Sequence, residues 1–431
     1  MKVLVVGSGG REHALCWKLA QSPLASRVYC APGNPGIEGL AECVDLAADD
    51  VAGLTDFAVR EAVDLTVVGP EVPLTLGLAD LLAQRGGAVF GPSRYAAQLE
   101  GSKVFAKEFM RRHGVATADF EVVDNLAAAR AAATRFGLPV VLKADGLAAG
   151  TGVLIPRDEA ELDDALAVLF TERRFGTSAD RVIVEECLTG EEVSLIALSD
   201  GKRLQHFVTA KDYKRIGEGD VGPNTGGMGA HSPSMVLPEA QAAGIAERML
   251  QPVIDGMAAE GHPFVGVLYG GLMLTAEGPR ILEYNVRFGD PECQPLMLRL
   301  ESDLLPVLRA AAAGDFGAEK LTFNDQVAAC VVLASAGYPG TPVQGEVISG
   351  LDVAVDQTGA ELFHAGTSRR SDGSVLAVGG RVLSACALGP DLGSALHRAY
   401  ALADRVEWAA KIVRRDIGRR VLLAQAGRVA E

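Results

Sequence analysis

Short apolar runs recur along this chain, each closed by glycine, proline or a polar turn, and their spacing sets the expected architecture. Residues 2–6, 27–30, 64–68 and 88–90 read as strands separated by helical stretches. That alternation predicts a parallel sheet with helices on its faces. Apolar runs at 138–145, 181–188, 193–198 and 206–208 predict further strands, and 239–260 a helix. Residues 264–292 read as a β-hairpin around a turn at 275–279. The helix expected after Pro291 carries Leu296, Leu298, Leu300 and Leu304, and is read as packing. Strands at 327–335, 346–348, 361–364 and 375–378 precede a helix over 392–406, whose helical periodicity predicts a core face. The expected class is α/β and multidomain: a Rossmann-like unit over 1–120, a second over 121–190, a central α+β unit over 191–324 and a small α/β unit over 325–431. A chain of 431 residues fits about two to four domains.

The second hairpin strand carries the first candidate chemistry. Alternation puts Ile281, Glu283, Asn285 and Arg287 on one face and Leu282, Tyr284 and Val286 on the other. Glu283 and Asn285 then stand roughly 7 Å apart. They offer hard oxygen donors of the kind magnesium takes when phosphates and water complete its shell. Arg287 follows, with a fork that suits a transferring phosphate. A polar rim on an edge strand would also produce Glu-x-Asn-x-Arg. The tail Phe288-Gly289-Asp290-Pro291-Glu292 goes beyond what such a rim needs.

Composition narrows the classes. A formal net charge of −15 argues against a nucleic-acid or membrane-surface partner, both of which want basic patches. Hydrophobic content of 48% with 22% charged residues fits a water-soluble chain. The seven cysteines show no CxxC spacing, which points to reduced thiols and a cytoplasmic setting. No signal peptide is evident and no run approaches a membrane span. The 50 glycines cluster in short loops, where backbone turns tightly or approaches a ligand.

Glycine turns supply further candidates. Residues 7–10 join a strand to a helix, an arrangement whose free N–H groups receive phosphate. Glu12 occupies the third glycine position of the dinucleotide fingerprint, so a nicotinamide cofactor is disfavoured. Gly69-Pro70-Glu71 lies at a strand's carboxyl end, where open α/β sheets bind ligands. Ser102 is a candidate N-cap, with Lys103 at the positive end of its helix. Lys143 ends a strand and precedes the glycine-rich loop 146–153. The stretch 217–232 reads as a long functional loop, anchored by Lys211-Asp212-Tyr213-Lys214-Arg215.

The segment LEYNVRFGDPE at 282–292 resembles the metal-binding segment of the ATP-grasp ligases, and within them of the glycinamide ribonucleotide synthetases. KDYKRIGEGDVGPNTGGMGAHSP at 211–233 is similar to that family's own substrate segment. The resemblance runs from residue 1 to about 418. It implies an ATP-grasp lid over 121–190, with the central ATP-grasp domain after it. It implies that Gly9, Gly10, Arg11 and Glu71 meet phosphoribosylamine. Lys103, Lys143, Gly150, Thr151 and Gly152 would meet ATP phosphates. Glu185, Glu186 and Leu188 would line the adenine hinge, with Glu192 on the ribose. Asp212, Lys214, Asn224, Arg287 and Asp290 would hold substrates, with Arg287, Lys143 and Asp212 catalytic. Glu283 and Asn285 would bind magnesium or manganese. Thr151 stands where the family commonly has lysine.

The resemblance thus implies a monomeric cytoplasmic enzyme of purine biosynthesis that ligates glycine to 5-phosphoribosylamine with ATP. Two other readings stay open. One is a different ATP-grasp carboxylate–amine ligase. The other is an ATP-binding sensor that has lost catalysis. The C-terminal unit shows no catalytic cluster and is expected to cover the cleft, with His364 and His397 in structural or surface roles.

Overall fold

The computed structural model describes residues 1–146, 152–352 and 359–427. Five parallel strands open the chain, in the order Glu42–Cys43, Arg27–Pro32, Lys2–Gly7, Leu65–Val68, Val89–Phe90. Val3 to Val6 are fully buried, because helices cover both faces of this sheet. All loops at the carboxyl ends of these strands open toward the same edge, and Gly7 and Gly69 meet there.

The next unit is a four-stranded antiparallel sheet, ordered Phe120–Val123, Val182–Glu186, Val140–Ala144, Val153–Leu154. Its apolar cluster draws only on residues 123–184, so it packs as a body of its own. The central sheet runs Leu204–His206, Glu191–Asp200, Val265–Thr275, Gly278–Asn285. Its core is continuous with that of the first unit: Leu4 and Val6 share one cluster with Leu195 and Leu268.

Four expectations change. The stretch 217–232 is not an open loop. Arg215–Gly217 pairs with Val221–Asn224 as a hairpin, and Gly229–Ser232 joins Val327–Ser335 in the C-terminal sheet. The helix over 239–260 breaks at Leu250 into Glu239–Met249 and Gln251–Ala259. Pro252 is the reason, since it has no N–H to continue the ladder. The helix after Pro291 ends at Arg299; Leu300 is extended, and Asp303 caps a new helix Leu304–Ala312. Finally, the hairpin's alternation slips. The pairing Leu272↔Ile281 and Gly271↔Glu283 leaves Leu282 as a bulge. Ile281 therefore turns into the core with Tyr284 and Val286, while Glu283 and Asn285 stay half-buried.

Candidate active site

Glu12 organises the first glycine turn. One carboxylate oxygen accepts the Gly9 N–H at 2.6 Å, and the other accepts from Arg11 Nε at 2.5 Å. The same side chain fills the space beside Gly7 and Gly69, where a Cβ would come within 2.5 and 2.1 Å of it. The residue that breaks the dinucleotide fingerprint thus closes the turn. Arg11 is buried and donates to the Phe288 carbonyl at 3.1 Å, so the turn is tied to the tail of the metal-candidate strand. Burial works against the Arg11 charge, but Glu12, Asp290 and Glu71 hold it firmly protonated. Asp290 lies against Gly9, where a Cβ would sit 3.5 Å from its oxygen. Burial would raise the Asp290 carboxyl, yet Arg381 and Arg11 keep it below the usual range. His13 accepts the His364 N–H at 2.7 Å. Burial pushes these rings down to about 3 and about 4, so both are neutral structural contacts. His397 is exposed.

Arg287 is flanked by two acids. Its Nε lies 3.3 Å from Glu71 and its Nη2 2.7 Å from Glu100. Glu71 is thus the partner of Arg287 as well as a candidate for the sugar. Burial is the largest single influence at both acids. At Glu71 the arginines outweigh it and lower the carboxyl. At Glu100 they do not, and the carboxyl is raised. Glu100 also accepts the Val286 N–H at 2.7 Å.

The lysines converge from two elements, helix Lys103–Arg112 and strand Val140–Ala144. Ser102 caps helix Lys103–Arg112 by accepting from Phe105 N. Lys103 Nζ donates to the Gly146 carbonyl at 2.7 Å, at the entrance to the glycine-rich loop. Burial lowers its pKa, Glu283 opposes that, and Lys143 adds to it, which places Glu283 and both lysines in one field. Lys143 pairs with Glu185 and reaches the Leu282 carbonyl at 3.2 Å, the carbonyl of the bulge. Glu185 needs a correction. Its side chain is 2% exposed beneath Lys107 and Lys143 and is committed to those two lysines. Glu186 accepts the Asp119 N–H at 3.0 Å and lies 3.7 Å from Arg280. Leu188 is half-buried just past the strand end. Gly152 accepts the Ala144 N–H at 3.0 Å. Gly150 and Thr151 lie outside the described residues.

On the far side, Lys214 lies 3.3 Å from Glu192 and 3.9 Å from Asp212. Asp212 first, against burial, drives the Lys214 pKa well up, with Glu192 and Glu283 adding to it. Burial raises the Asp212 carboxyl despite Lys214. Asn224 ends its strand opposite Arg215, and the next residue, Thr225, donates to the Lys214 carbonyl from both N and Oγ1 at 2.7 Å.

Glu283 acts on both Lys103 and Lys214, and Asn285 follows it two residues on along the same strand. Among the described residues, neither side chain is engaged in a hydrogen bond or ion pair with the protein. Gly271 faces Glu283, where a Cβ would meet its Cγ at 3.4 Å. Among the described residues no group of three or more His, Cys, Asp or Glu is placed to hold a metal ion. Two uncommitted hard oxygen donors without a third carboxylate fit a cation that takes the rest of its shell from phosphate and water. The donor set suits magnesium or manganese and suits no thiolate- or imidazole-seeking metal.

Three models of phosphoribosylglycinamide synthetase match most of this chain: the N domain over residues 1–100, the ATP-grasp (A) domain over 101–293 and the C domain over 328–420. The chain belongs to that family. The synthetase relatives include a phosphoribosylamine–glycine ligase of Agrobacterium fabrum, 50% identical over 97% of this chain and 98% of its own. Another, of Caulobacter vibrioides, is 50% identical over 98% of this chain and 99% of its own. The crystal structure of phosphoribosylamine–glycine ligase from Thermotoga maritima superposes with a TM-score of 0.84 at 34% identity, covering 96% of this chain and 100% of that one. Membership in the synthetase family makes the multidomain α/β expectation good. Among the described residues no helix is long and apolar enough to cross a membrane.

Sequence reasoning missed Glu100, Lys107 and Arg381, and quoted Glu292 in the tail 288–292 without giving it a role. Lys107 had a signal: it stands one helical turn beyond Lys103. Glu100 directly precedes the Gly-Ser-Lys cap but looks like an ordinary surface acid. Arg381 lies far away in sequence and carries no local signature.

Proposed function

We propose that this chain ligates glycine to 5-phosphoribosylamine through a glycyl phosphate, releasing glycinamide ribonucleotide, ADP and phosphate in purine synthesis. The observation that carries the reading is the position of Glu283. Its uncommitted carboxylate lies in the field of Lys103 on the nucleotide side and of Lys214 on the substrate side. A reaction that brings a nucleotide phosphate to a second small molecule needs that junction.

The residues divide the work as follows. Lys103 and Lys143 neutralise the polyphosphate as the γ-phosphoryl group moves to the glycine carboxylate, a step governed by position and electrostatics. Glu283 and Asn285 would hold a divalent cation, magnesium in our reading, which supplies charge neutralisation on the phosphates. Arg287, fixed by Glu71 and Glu100, keeps its charge beside the transferring group. Gly9, Gly10 and Arg11 present the helix N-terminus of Gly10–Leu19 to the sugar phosphate. Asp212 and Lys214 hold the amino acid end, with Asn224 and Asp290 bordering it. Glu186, Leu188 and Glu192 line the nucleotide base and ribose. Gly152, at the end of the glycine-rich loop, would meet the phosphates. Water is kept from the acyl phosphate by the lid, whose core is separate from its neighbours. The amine then attacks the acyl carbon, phosphate leaves, and the amine proton passes to a nearby base.

We further place the enzyme in the cytoplasm as a monomer; seven free thiols accord with a reducing compartment. The test is ADP release with magnesium, ATP, glycine and freshly generated phosphoribosylamine, leaving out one component at a time. ADP that forms only with both substrates present supports the reading. ATP binding with no ADP under any combination would favour a sensor.

A further inference from the structure

Arg381 belongs to the C-terminal unit, yet its guanidinium ends among the substrate segments. A bulge makes this possible. Leu333 pairs with Leu383, but Ala334 pairs with Arg381, so Val382 is the extra residue. Val382 and Leu383 are both fully buried in the C-terminal core, and Arg381 is turned the other way. Bulges beside functional sites re-aim side chains in this manner.

The guanidinium has many partners. Nη1 donates to the carbonyls of Asp290 at 2.5 Å and Gly226 at 2.8 Å, and reaches Gly227 at 3.5 Å. Nη2 lies 3.2 Å from the Asp290 carboxylate. The backbone is shaped to admit it. A Cβ on Gly226 would stand 2.9 Å from the guanidinium carbon. Gly227 has φ +116°, and a Cβ there would meet Pro291 at 2.5 Å. Tyr338, also from the C-terminal unit, accepts the Gly226 N–H at 2.8 Å.

One side chain therefore joins the substrate segment to Asp290, and Asp290 borders Gly9 of the first glycine turn. We propose that Arg381 is a positioning residue for the sugar-phosphate amine: it sets Asp290 and Gly226–Gly227 against the Gly9 turn, and so makes the C-terminal unit part of that substrate's site. The inference rests on the proposed reading of the Gly9–Arg11 turn. Loss of Arg381 would free Asp290 from its strongest cationic partner and release two loop carbonyls. The nucleotide groups Lys103, Lys143 and Glu283 are not among its contacts, so their ligand should be spared.

The experiment is calorimetric titration of the full chain with ribose 5-phosphate, and separately with ATP. It compares the wild type with Arg381→Gln and Arg381→Lys. A lost charged hydrogen-bond set should weaken ribose 5-phosphate binding about tenfold or more in Arg381→Gln. Arg381→Lys keeps the charge without the fork and should lie between the two. ATP binding should change less than about twofold in both. Unchanged ribose 5-phosphate affinity in Arg381→Gln would overturn the inference. So would an equal loss for ATP, since general loosening of the fold moves both ligands together. The wild-type titration checks the underlying reading separately: failure to bind ribose 5-phosphate there removes the sugar-phosphate site itself, and this inference with it.

Discussion

Lys107 Nζ lies 2.5 Å from Glu185 Oε2, and both side chains are 2% exposed. The other oxygen of Glu185 holds Lys143. One buried carboxylate thus serves two buried lysines. Burial lowers the Lys107 pKa to about 8 even with Glu185 beside it. Removing the shared anion leaves two cations desolvated and unpaired. Glu185→Gln should cost about 3–5 kcal/mol of stability. Glu186→Gln, at a half-exposed acid next in sequence, should cost less than about 1 kcal/mol. Urea unfolding of the two variants checks this, and equal losses would remove the hub role of Glu185.

The uncommitted Glu283 and Asn285 give the opposite pattern. With no partner among the described residues to lose, their substitution should leave the fold intact. Glu283→Gln or Asn285→Ala should lower turnover by about 100-fold or more while the unfolding midpoint stays near that of the wild type. Near-normal turnover at saturating magnesium would remove the metal assignment.

Glu292 predicts a pH dependence. It is buried between Ser194, Tyr269, Asp212 and Lys214, and Ser194 Oγ approaches it at 3.5 Å. Burial first, and Asp212 second, raise its carboxyl from the ordinary 4.5 to about 7. The folded state then keeps a proton that the unfolded chain gives up. The stability this contributes is fully present below pH 4.5 and is lost as pH rises through about 7. Its full span is about 3 kcal/mol. Glu292→Gln carries a permanent neutral side chain and lacks this slope. The wild type should lose stability relative to Glu292→Gln between about pH 5 and about pH 8. Unfolding series at both ends of the window check the sign, and a rise in place of a fall would contradict the buried neutral carboxyl.

Much of this architecture was legible in local sequence. The unbroken apolar run at 3–6 marked a strand covered on both faces, as a central parallel strand is. Ser102 announced its cap, which the structure shows accepting from Phe105 N. What stayed hidden was set by distant partners. The bulge at Leu282 reflects the fit of one strand to its neighbour, so strict alternation placed Ile281 on the wrong face. The segment 217–232 looked like a loop because its strands are short and glycine-rich. Its pairing partner, Val327–Ser335, lies about a hundred residues away. Glu185 looked like part of a polar strand end, and only the fold shows two lysines closing over it.

Gly69 is a position where the fold leaves no room for even one carbon. A Cβ there would lie 2.1 Å from Glu12 Oε1 and 2.6 Å from its Cγ and Cδ. Glu12 has little freedom to retreat, because its two oxygens are held by Gly9 N and Arg11 Nε. Gly69→Ala must therefore displace the carboxylate, uncap the Gly9 N–H and loosen Arg11. Overpacking of this kind typically costs about 1–3 kcal/mol. The functional effect should be selective, because Glu12 belongs to the turn assigned to the sugar phosphate and not to the nucleotide lysines. Gly69→Ala should raise the KM for phosphoribosylamine about tenfold while the KM for ATP moves less than about twofold. Steady-state kinetics with each substrate varied in turn check this. Equal effects on both constants would mean that Glu12 supports the fold as a whole and has no particular hold on the glycine turn.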